Sequence, residues 1–418
     1  MANTVETEGT VLHISSRAAA RLRLGHLWVY RSDLEGGPEN GPGELDGSGL
    51  VTVSDPRGRP LGSGLYSESS EIAVRMVSSR PGLTRADYLM ELRLRLRAAL
   101  DLRRVLVPEA FSGDETNACR LFFSEADELP GIVGDRYNGV VVLQLLTQGT
   151  ARDDVREVVR EVLSEEPWAT LVVERPDGRM RELERLGPAP DAPLLQRSPD
   201  ASPQTIFNIN GLGYHFDAAS GQKTGAFLDQ RLNYAAAAAA AHGRALDVCT
   251  YQGGFALHLA RTCSRVTGVD ASRAALEVAD RNLELNRHAL SARVDWMEAD
   301  AFELLRDLAD GKESFDTIVL DPPAFAKSRR AAEGALRGYK ELNLRALKML
   351  GQGGTLVTCS CSHHVGLSDF VEMLRSAAAD AGRRVQLLKT RGAAPDHPAI
   401  LTLPESSYLK CLICRVSG

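Results

Sequence analysis

No apolar run in the chain approaches the ~18–20 residues that a membrane-spanning helix requires, so a protein anchored by such helices is excluded. Met1 to Thr10 are polar and acidic and lack a charged-then-apolar leader pattern, so a cytosolic location is expected. Cysteine is sparse. Seven residues, an odd number over 418 positions, do not make a disulfide framework and should be reduced thiols. Cys411 and Cys414 form a lone CxxC with no second Cys or His pair, and no metal site is expected. Also missing are the GxGxxG dinucleotide fingerprint and the phosphate loop ending in Lys-Ser/Thr, which weakens hydride transfer and triphosphate chemistry. The net charge of −6 argues against a histone-like nucleic-acid binder. Local clusters persist all the same: Arg17, Arg21, Arg23, His26 and Arg31 near the start, and Arg93, Arg95, Arg97, Arg103 and Arg104 later. By themselves these read as solvated faces paired with acids such as Glu91 and Asp101.

What is present is ordinary folded-protein composition, 44% hydrophobic and 25% charged, in a chain long enough for two or three domains. Residues 9–80 read as short strands around a small helix, with a turn at Asp55-Pro56-Arg57-Gly58, and predict a small β-barrel module. Residues 85–200 predict a middle α+β domain. It opens with a helix from Arg85 to Val105 whose Leu89, Leu92, Leu96 and Leu100 share a stripe, and it continues through a hairpin-like pair of strands and a helix over Asp153–Glu165. The Pro-rich stretch 186–204 reads as a surface connection. From 205 to 418 a hairpin leads into apolar runs alternating with helical stretches, which predicts an α/β domain with a parallel sheet covered on both faces. The alanine run 235–241 fits a helix, Ala being the best helix former.

Ligands of such sheets bind beyond the carboxyl ends of the strands. Four strand ends here carry acids in succession: Asp247, Asp270, Asp300 and Asp321. After the first comes "DVCTYQGGF", in which Gly253 and Gly254 permit close backbone approach, Tyr251 flanks the loop and Phe255 begins a helix. Asp270, about twenty residues later, suits the two hydroxyls of a ribose. Asp300-Ala301-Phe302 suits an adenine amino group and ring. The ordered set fits an adenosine-bearing cofactor without a triphosphate. Asp321-Pro322-Pro323-Ala324-Phe325 then forms a rigid turn with few donors, suited to a planar base beside the transferred group. On the later strand "GGTLVTCSCSHH", Cys359 and Cys361 share a face. Cys361, at the strand end, reads as a nucleophile able to add to carbon 6 of a pyrimidine, and Cys359 as core. His363 and His364 follow as candidate proton carriers, and the sequence marks no general base.

Together "GQKTGAFLDQR", "DVCTYQGGF", "LDPPAFAKSR", "TCSCS" and "DHPAI…PESSYLKCLICRV" resemble the bacterial 23S ribosomal RNA large-subunit methyltransferase I family, the 5-methylcytosine enzymes, over nearly the whole chain. The resemblance implies an N-terminal β-barrel PUA domain at 9–80, a middle α+β domain at 85–200 and a Rossmann-like class I methyltransferase domain at 205–418. It also implies S-adenosyl-L-methionine as cofactor, and 23S rRNA or a large-subunit precursor as partner. The family pattern carries over to Lys223 and to Asp229, Gln230 and Arg231 ahead of the sheet, and to Gly253 and Asp270 in the cofactor site. Its Ser-Cys-Ser motif falls on Ser360-Cys361-Ser362 and selects Cys361 as the nucleophile, with Asp321 holding the base and also meeting the cofactor. Lys327, Arg329 and Arg330 are expected to grip phosphates beside Lys223, Pro322, Pro323 and Phe325, and the arginine clusters to face RNA after all. Methyltransferases of this kind often pair, so a homodimer is expected. Two readings compete: methylation of a purine or of another RNA, and a non-catalytic RNA-binding or ribosome-assembly factor.

Overall fold

The computed structural model describes residues 10–36, 49–175, 177–219, 226–326 and 329–417. Its first sheet holds β1 (Val11–His13), β2 (Trp28–Tyr30), β3 (Leu50–Ser54), β4 (Pro60–Tyr66) and β5 (Ile72–Ser78), in the order β1-β3-β4-β5-β2. Between β3 and β4, Asp55 Oδ1 accepts from the backbone N–H of Arg57 and Arg59, and Gly58 turns at φ +73°.

The second sheet joins β6 (Ala118–Phe123), β7 (Ile132–Tyr137), β8 (Val140–Leu145), β9 (Leu171–Glu174) and β10 (Leu195–Gln196), in the order β10-β9-β8-β7-β6. Three antiparallel strands therefore stand where a two-strand hairpin was expected, and β10 lies inside the Pro-rich stretch, paired to β9. The helix Arg85–Leu106 starts at a Thr84 cap whose side chain accepts from Asp87 N, and it buries Leu92, Leu96 and Leu100 together with Tyr88 and Ala99. The helix Asp153–Ser164 packs the same core with its buried valines. Burial of these stripes removes apolar surface from water at about 25 cal/mol per Å² and is what holds each helix to its sheet.

β11 (Gln204–Ile209) and β12 (Leu212–Asp217) form a hairpin whose Phe207, Tyr214 and Phe216 share one core with Tyr137 of the second sheet and with Tyr234 and Phe255 beyond it. Tyr137 stacks on Phe216 at 4.0 Å between ring centres. The hairpin thus ties the second sheet to the last and largest one. That sheet holds β13 (Arg244–Val248), β14 (Arg265–Asp270), β15 (Arg293–Glu298), β16 (Phe315–Leu320), β17 (Leu350–Ser360), β18 (Arg384–Arg391) and β19 (Lys410–Ser417) in the order β15-β14-β13-β16-β17-β19-β18. β13 to β17 are parallel, as the alternating pattern predicts, while β19 returns antiparallel and β18 pairs with it as an edge. The chain steps outward from β13 to β15 and then resumes at β16 on the other side of β13. This switch point opens a crevice at the carboxyl ends of β13 and β16. The helix Arg231–Ala238 ends before the alanine run does, and Ala239 to Ala241 continue as a turn. Among the described residues, no helix is long and apolar enough to cross a membrane.

Candidate active site

A cavity of about 2050 Å³ lies at that switch point. Its floor is the loop that leaves β13. Cys249, Tyr251 and Gly253 all take left-handed backbone there, at φ +64°, +52° and +87°. Two non-glycine residues in this region mark backbone held by its surroundings. Part of the hold is Asp270: its Oδ2 accepts from Tyr251 N at 2.8 Å and its Oδ1 from Ser272 N at 2.9 Å. Each carboxylate oxygen keeps a lone pair for a further donor such as a ribose hydroxyl. Gly253 caps the short helix Gly254–Leu259, and a Cβ there would meet the Trp296 ring at 3.0 Å.

Asp247 is fully buried behind this loop. Its Oδ2 accepts the Thr250 hydroxyl at 2.5 Å and its Oδ1 has no hydrogen-bond partner among the described residues, while burial pushes the carboxyl up to about 7. Asp300 caps the helix Ala301–Asp310, with Oδ1 accepting from the N–H groups of Phe302 and Glu303. Phe302 lies 5.8 Å from Phe325, and Phe325 lies 4.7 Å from Tyr339, so the expected adenine wall and the Pro-Pro turn share one aromatic row. Asp321 follows β16, and Gln230 Nε2 donates to its Oδ1 at 2.9 Å. Burial, with Asp229 and Asp247 nearby, pushes the Asp321 carboxyl up to about 8.

Cys361 lines the same cavity, its Sγ 4.0 Å from the Pro322 carbonyl oxygen. Cys359 is fully buried opposite Cys411 on β19, and burial together with that second thiol raises it well above an ordinary thiol. Cys411 and Cys414 are both core. His363 also lines the cavity, with Nδ1 3.0 Å from the Glu405 carbonyl oxygen, and His364 is exposed.

The remaining expected residues divide. Asp229, Tyr251, Gly254, Phe255, Asp270, Asp300, Ala301, Phe302, Asp321, Pro322, Pro323, Phe325 and Cys361 all line the cavity, while Asp247 and Gly253 stand just behind its wall. Lys223 and Lys327 lie outside the described residues. Arg329 and Arg330 open the turn Arg329–Ala331, and the Arg330 side chain is exposed. Arg231, expected at the cofactor, is instead 1% exposed and away from the cavity lining. Its Nη1 donates to Glu109 at 2.9 Å and its Nη2 to Asp396 at 3.3 Å, which makes it a clamp between the helix Glu109–Ser112 and the loop before β19.

The arginine clusters are likewise engaged at home. Arg21 pairs with Asp33, Arg23 with Asp55, Arg93 with Glu161, Arg97 with Glu165, and buried Arg103 with Asp127.

The structure gives a place to Phe123, which no motif marks, and to His397 and Tyr408, which lie within a quoted motif that assigned them no role. Tyr408 donates its hydroxyl to Asp229 Oδ2 at 2.5 Å and, with Phe123 and His397, walls the cavity on the Cys361 side. Phe123 sits edge-on to His397 at 5.3 Å, and His363 lies 5.3 Å from Tyr408. Aromatic rings of this kind can stack on an extruded base. These residues come from segments far apart in the chain, and no local spacing signals their meeting.

The site suits an adenosylated sulfonium. Asp270 and Asp300 present open acceptors, the left-handed loop lets backbone approach, and Asp247 Oδ1 and Asp229 Oδ1 are buried with no hydrogen-bond partner among the described residues.

Comparison with known proteins agrees. Residues 129–414 match a family model described as S-adenosylmethionine-dependent methyltransferase, and residues 12–79 one described as a PUA-like domain. The ribosomal RNA large subunit methyltransferase I of Pseudoalteromonas translucida is 35% identical over 94% of this chain and 96% of its own length. Its namesake in Photobacterium profundum is 34% identical over 97% of this chain and 99% of its own. A solved structure of a protein assigned as a methyltransferase, complexed with S-adenosylhomocysteine, shares the fold with a TM-score of 0.79 at 19% identity, over 97% of this chain and 100% of that one.

Proposed function

The chain belongs to the ribosomal RNA large subunit methyltransferase I family of S-adenosylmethionine-dependent enzymes, and on that premise we propose that it methylates carbon 5 of a cytosine in 23S ribosomal RNA through a covalent adduct with Cys361. The observation that carries this reading is the position of Cys361: its thiol opens into the crevice that holds Asp321, Pro322 and Pro323, whereas Cys359 two residues earlier is core.

S-adenosylmethionine, when bound, supplies an electrophilic methyl group. Asp270 would receive its ribose, Asp300 with Ala301 and Phe302 its adenine, and the loop Tyr251 to Phe255, with Asp229 and Asp247, the rest of the molecule. The Cys361 thiolate would add to carbon 6 of the base, forming a C–S bond and pushing electron density onto carbon 5. After methyl transfer, loss of the carbon 5 proton and departure of the thiolate would restore both aromatic base and enzyme. Asp321, held protonated near neutrality, can donate to the ring nitrogen of cytosine while its second oxygen accepts from the exocyclic amine. Such a bond favours the addition, because it offsets charge that develops on the ring.

Pro322, Pro323 and Phe325 would shape the base pocket, and Lys223, Lys327, Arg329 and Arg330 would hold phosphates. In this reading residues 9–80 capture RNA, 85–200 link, and 205–418 carry the transfer, in the cytosol. Light scattering would read the homodimer that the family likeness suggests.

The test is methyl transfer from tritiated S-adenosylmethionine to unmodified 23S RNA, with wild type and Cys361→Ala compared and the product nucleoside identified by mass. Labelled 5-methylcytidine from wild type alone supports the reading. Label on a purine, or equal label from both proteins, overturns the covalent mechanism.

A further inference from the structure

Lys410 is the first residue of β19 and stands opposite Ser360, one position before Cys361. It is only 7% exposed. Its ammonium donates to the Ser362 carbonyl at 2.7 Å and to the Tyr408 carbonyl at 2.7 Å, so it spans the two chain segments that flank the thiol. Among the described residues no carboxylate pairs with it. A buried ammonium with neutral partners alone is expensive in free energy, and such a cation is found where an anion forms or binds. On the same strand end, one residue beyond the Lys410 partner Ser360, Cys361 is able to become one.

We propose that Lys410 is a positioning residue that holds Cys361 as a thiolate. The proposal rests on the reading of Cys361 as nucleophile, but it concerns the acidity of the thiol and not methyl transfer. In the step it supports, the Cys361 S–H bond breaks and its proton passes to solvent. The ammonium of Lys410 stays protonated and faces the new negative charge. Its two carbonyl bonds fix its place, so the field at sulfur is set before any substrate arrives.

The electrostatic coupling runs in the expected sense. Burial pulls the Lys410 ammonium down to about 8, and Cys361 acts against that shift. Other ionisable groups also face the thiol. Tyr339, from the helix Ala332–Met349, donates to or accepts from Ser362 Oγ at 2.9 Å and is itself raised by burial, with Cys361 contributing. Asp321, at the end of β16, opposes a thiolate when ionised, and His363 lies on the same loop as Cys361. Lys410 is the buried cation of this group.

Alkylation of Cys361 by iodoacetamide in the full-length protein, followed across pH 5–10 by mass spectrometry of its peptide, reads the thiol directly. With Lys410→Met, the midpoint should rise by at least about one pH unit, so that alkylation near neutrality slows roughly tenfold. Lys410→Arg should recover much of the rate. An unchanged midpoint in a folded Lys410→Met protein overturns the proposal.

Should Lys410→Met fail to fold, the coupling can be read from its other end, because it is reciprocal. In protein labelled with ¹⁵N-lysine, Cys361→Ala should lower the titration midpoint of the Lys410 ammonium, and an unmoved midpoint overturns the proposal equally. Loss of 5-methylcytidine in Cys361→Ala tests the nucleophile separately. A thiol made acidic by Lys410 in an enzyme that methylates a purine would keep this inference and discard the other.

Discussion

At Asp321 a proton is held where an exposed carboxyl would have lost it. Burial comes first among the causes, then the charges of Asp229 and Asp247, with the Gln230 amide working in the opposite direction. The sign of the consequence follows from linkage. The folded carboxyl titrates at about 8 and the unfolded one near 3.8, so its contribution to stability is fully present below pH ~4 and is lost as pH rises through 8. The protein without cofactor should therefore lose thermal stability between pH 5 and pH 9, and Asp321→Asn should flatten that slope. A slope identical in both proteins, read by calorimetry, would place the titrating group elsewhere. Gly253 makes a second argument at this scale. Its φ of +87° strains any side chain, and a Cβ there would stand 3.0 Å from the Trp296 ring, so that ring would have to shift. Gly253→Ala should cost ~1–2 kcal/mol of stability and weaken S-adenosylmethionine binding about tenfold, as read by urea titration and calorimetric binding.

The element that decides the shape of the Cys361 side of the cavity is the loop between β18 and β19, and Arg231 pins it. Asp396 on that loop is fully buried. Burial would raise its carboxyl, yet His397, Arg231 and the Arg120 N–H hold it well below the usual range. Arg231→Met would leave Asp396 buried with fewer partners and should cost ~3–5 kcal/mol, the range for a broken buried pair, measured by urea denaturation. A loss below about 1 kcal/mol would mean that the loop is held by other contacts. Because the folded carboxyl is depressed, the contribution of Asp396 is present above pH ~4 and falls away in acid.

The same loop shows what a sequence can carry. The convergence of the acids at one crevice was legible because each ends an apolar run, as at "RALDV" with Asp247 and "FDTIVL" before Asp321, and strand ends of a parallel sheet converge by topology. Cys361 was separable from Cys359 by its place at the strand end, and the structure puts the former in the cavity and the latter in the core. The meeting of Phe123 with Tyr408, His397 and Lys410 was not legible, although the last three stand within a quoted motif. They meet only because β19 returns antiparallel beside β17 and β6 of the second sheet docks against the loop that carries Asp396. The burial of one lysine at the head of a strand has no periodic signature. Arg231 was misread for a related reason: a basic residue beside an expected anion site looks like a ligand until its buried carboxylate partners are seen. β18 went unanticipated because both its faces are largely exposed and its apolar residues follow neither period.

At the scale of the whole molecule, the question is how the N-terminal sheet is carried by the rest. Glu125, after β6, is the joint. It is 5% exposed, accepts the Trp28 indole N–H at 2.8 Å, and is ion-paired to Arg75 of β5. Trp28 and Arg75 sit on paired neighbours of the first sheet, at opposite positions of β2 and β5, so one carboxylate holds two strands. A second tie runs from Ser67 Oγ to Glu184 Oε2 at 2.5 Å. Burial would raise the Glu125 carboxyl, but Arg75, Ser124 and Trp28 bring it below the usual range, so the joint is firm above pH ~5 and weakens in acid. None of Trp28, Ser67, Arg75, Glu125 and Glu184 lines the candidate crevice, although Phe123 of β6 does.

Glu125→Ala should therefore leave S-adenosylmethionine affinity within about twofold of wild type. It should also leave Arg75 and Trp28 unpaired, loosen the N-terminal sheet, and speed its release by limited proteolysis. If that sheet captures RNA, KM for 23S RNA should rise while kcat is kept, since uniform binding is lost without change at the reacting atoms. An equal fall in kcat with KM unmoved would instead show that the joint helps to build the crevice, and would assign the N-terminal sheet a structural part in catalysis.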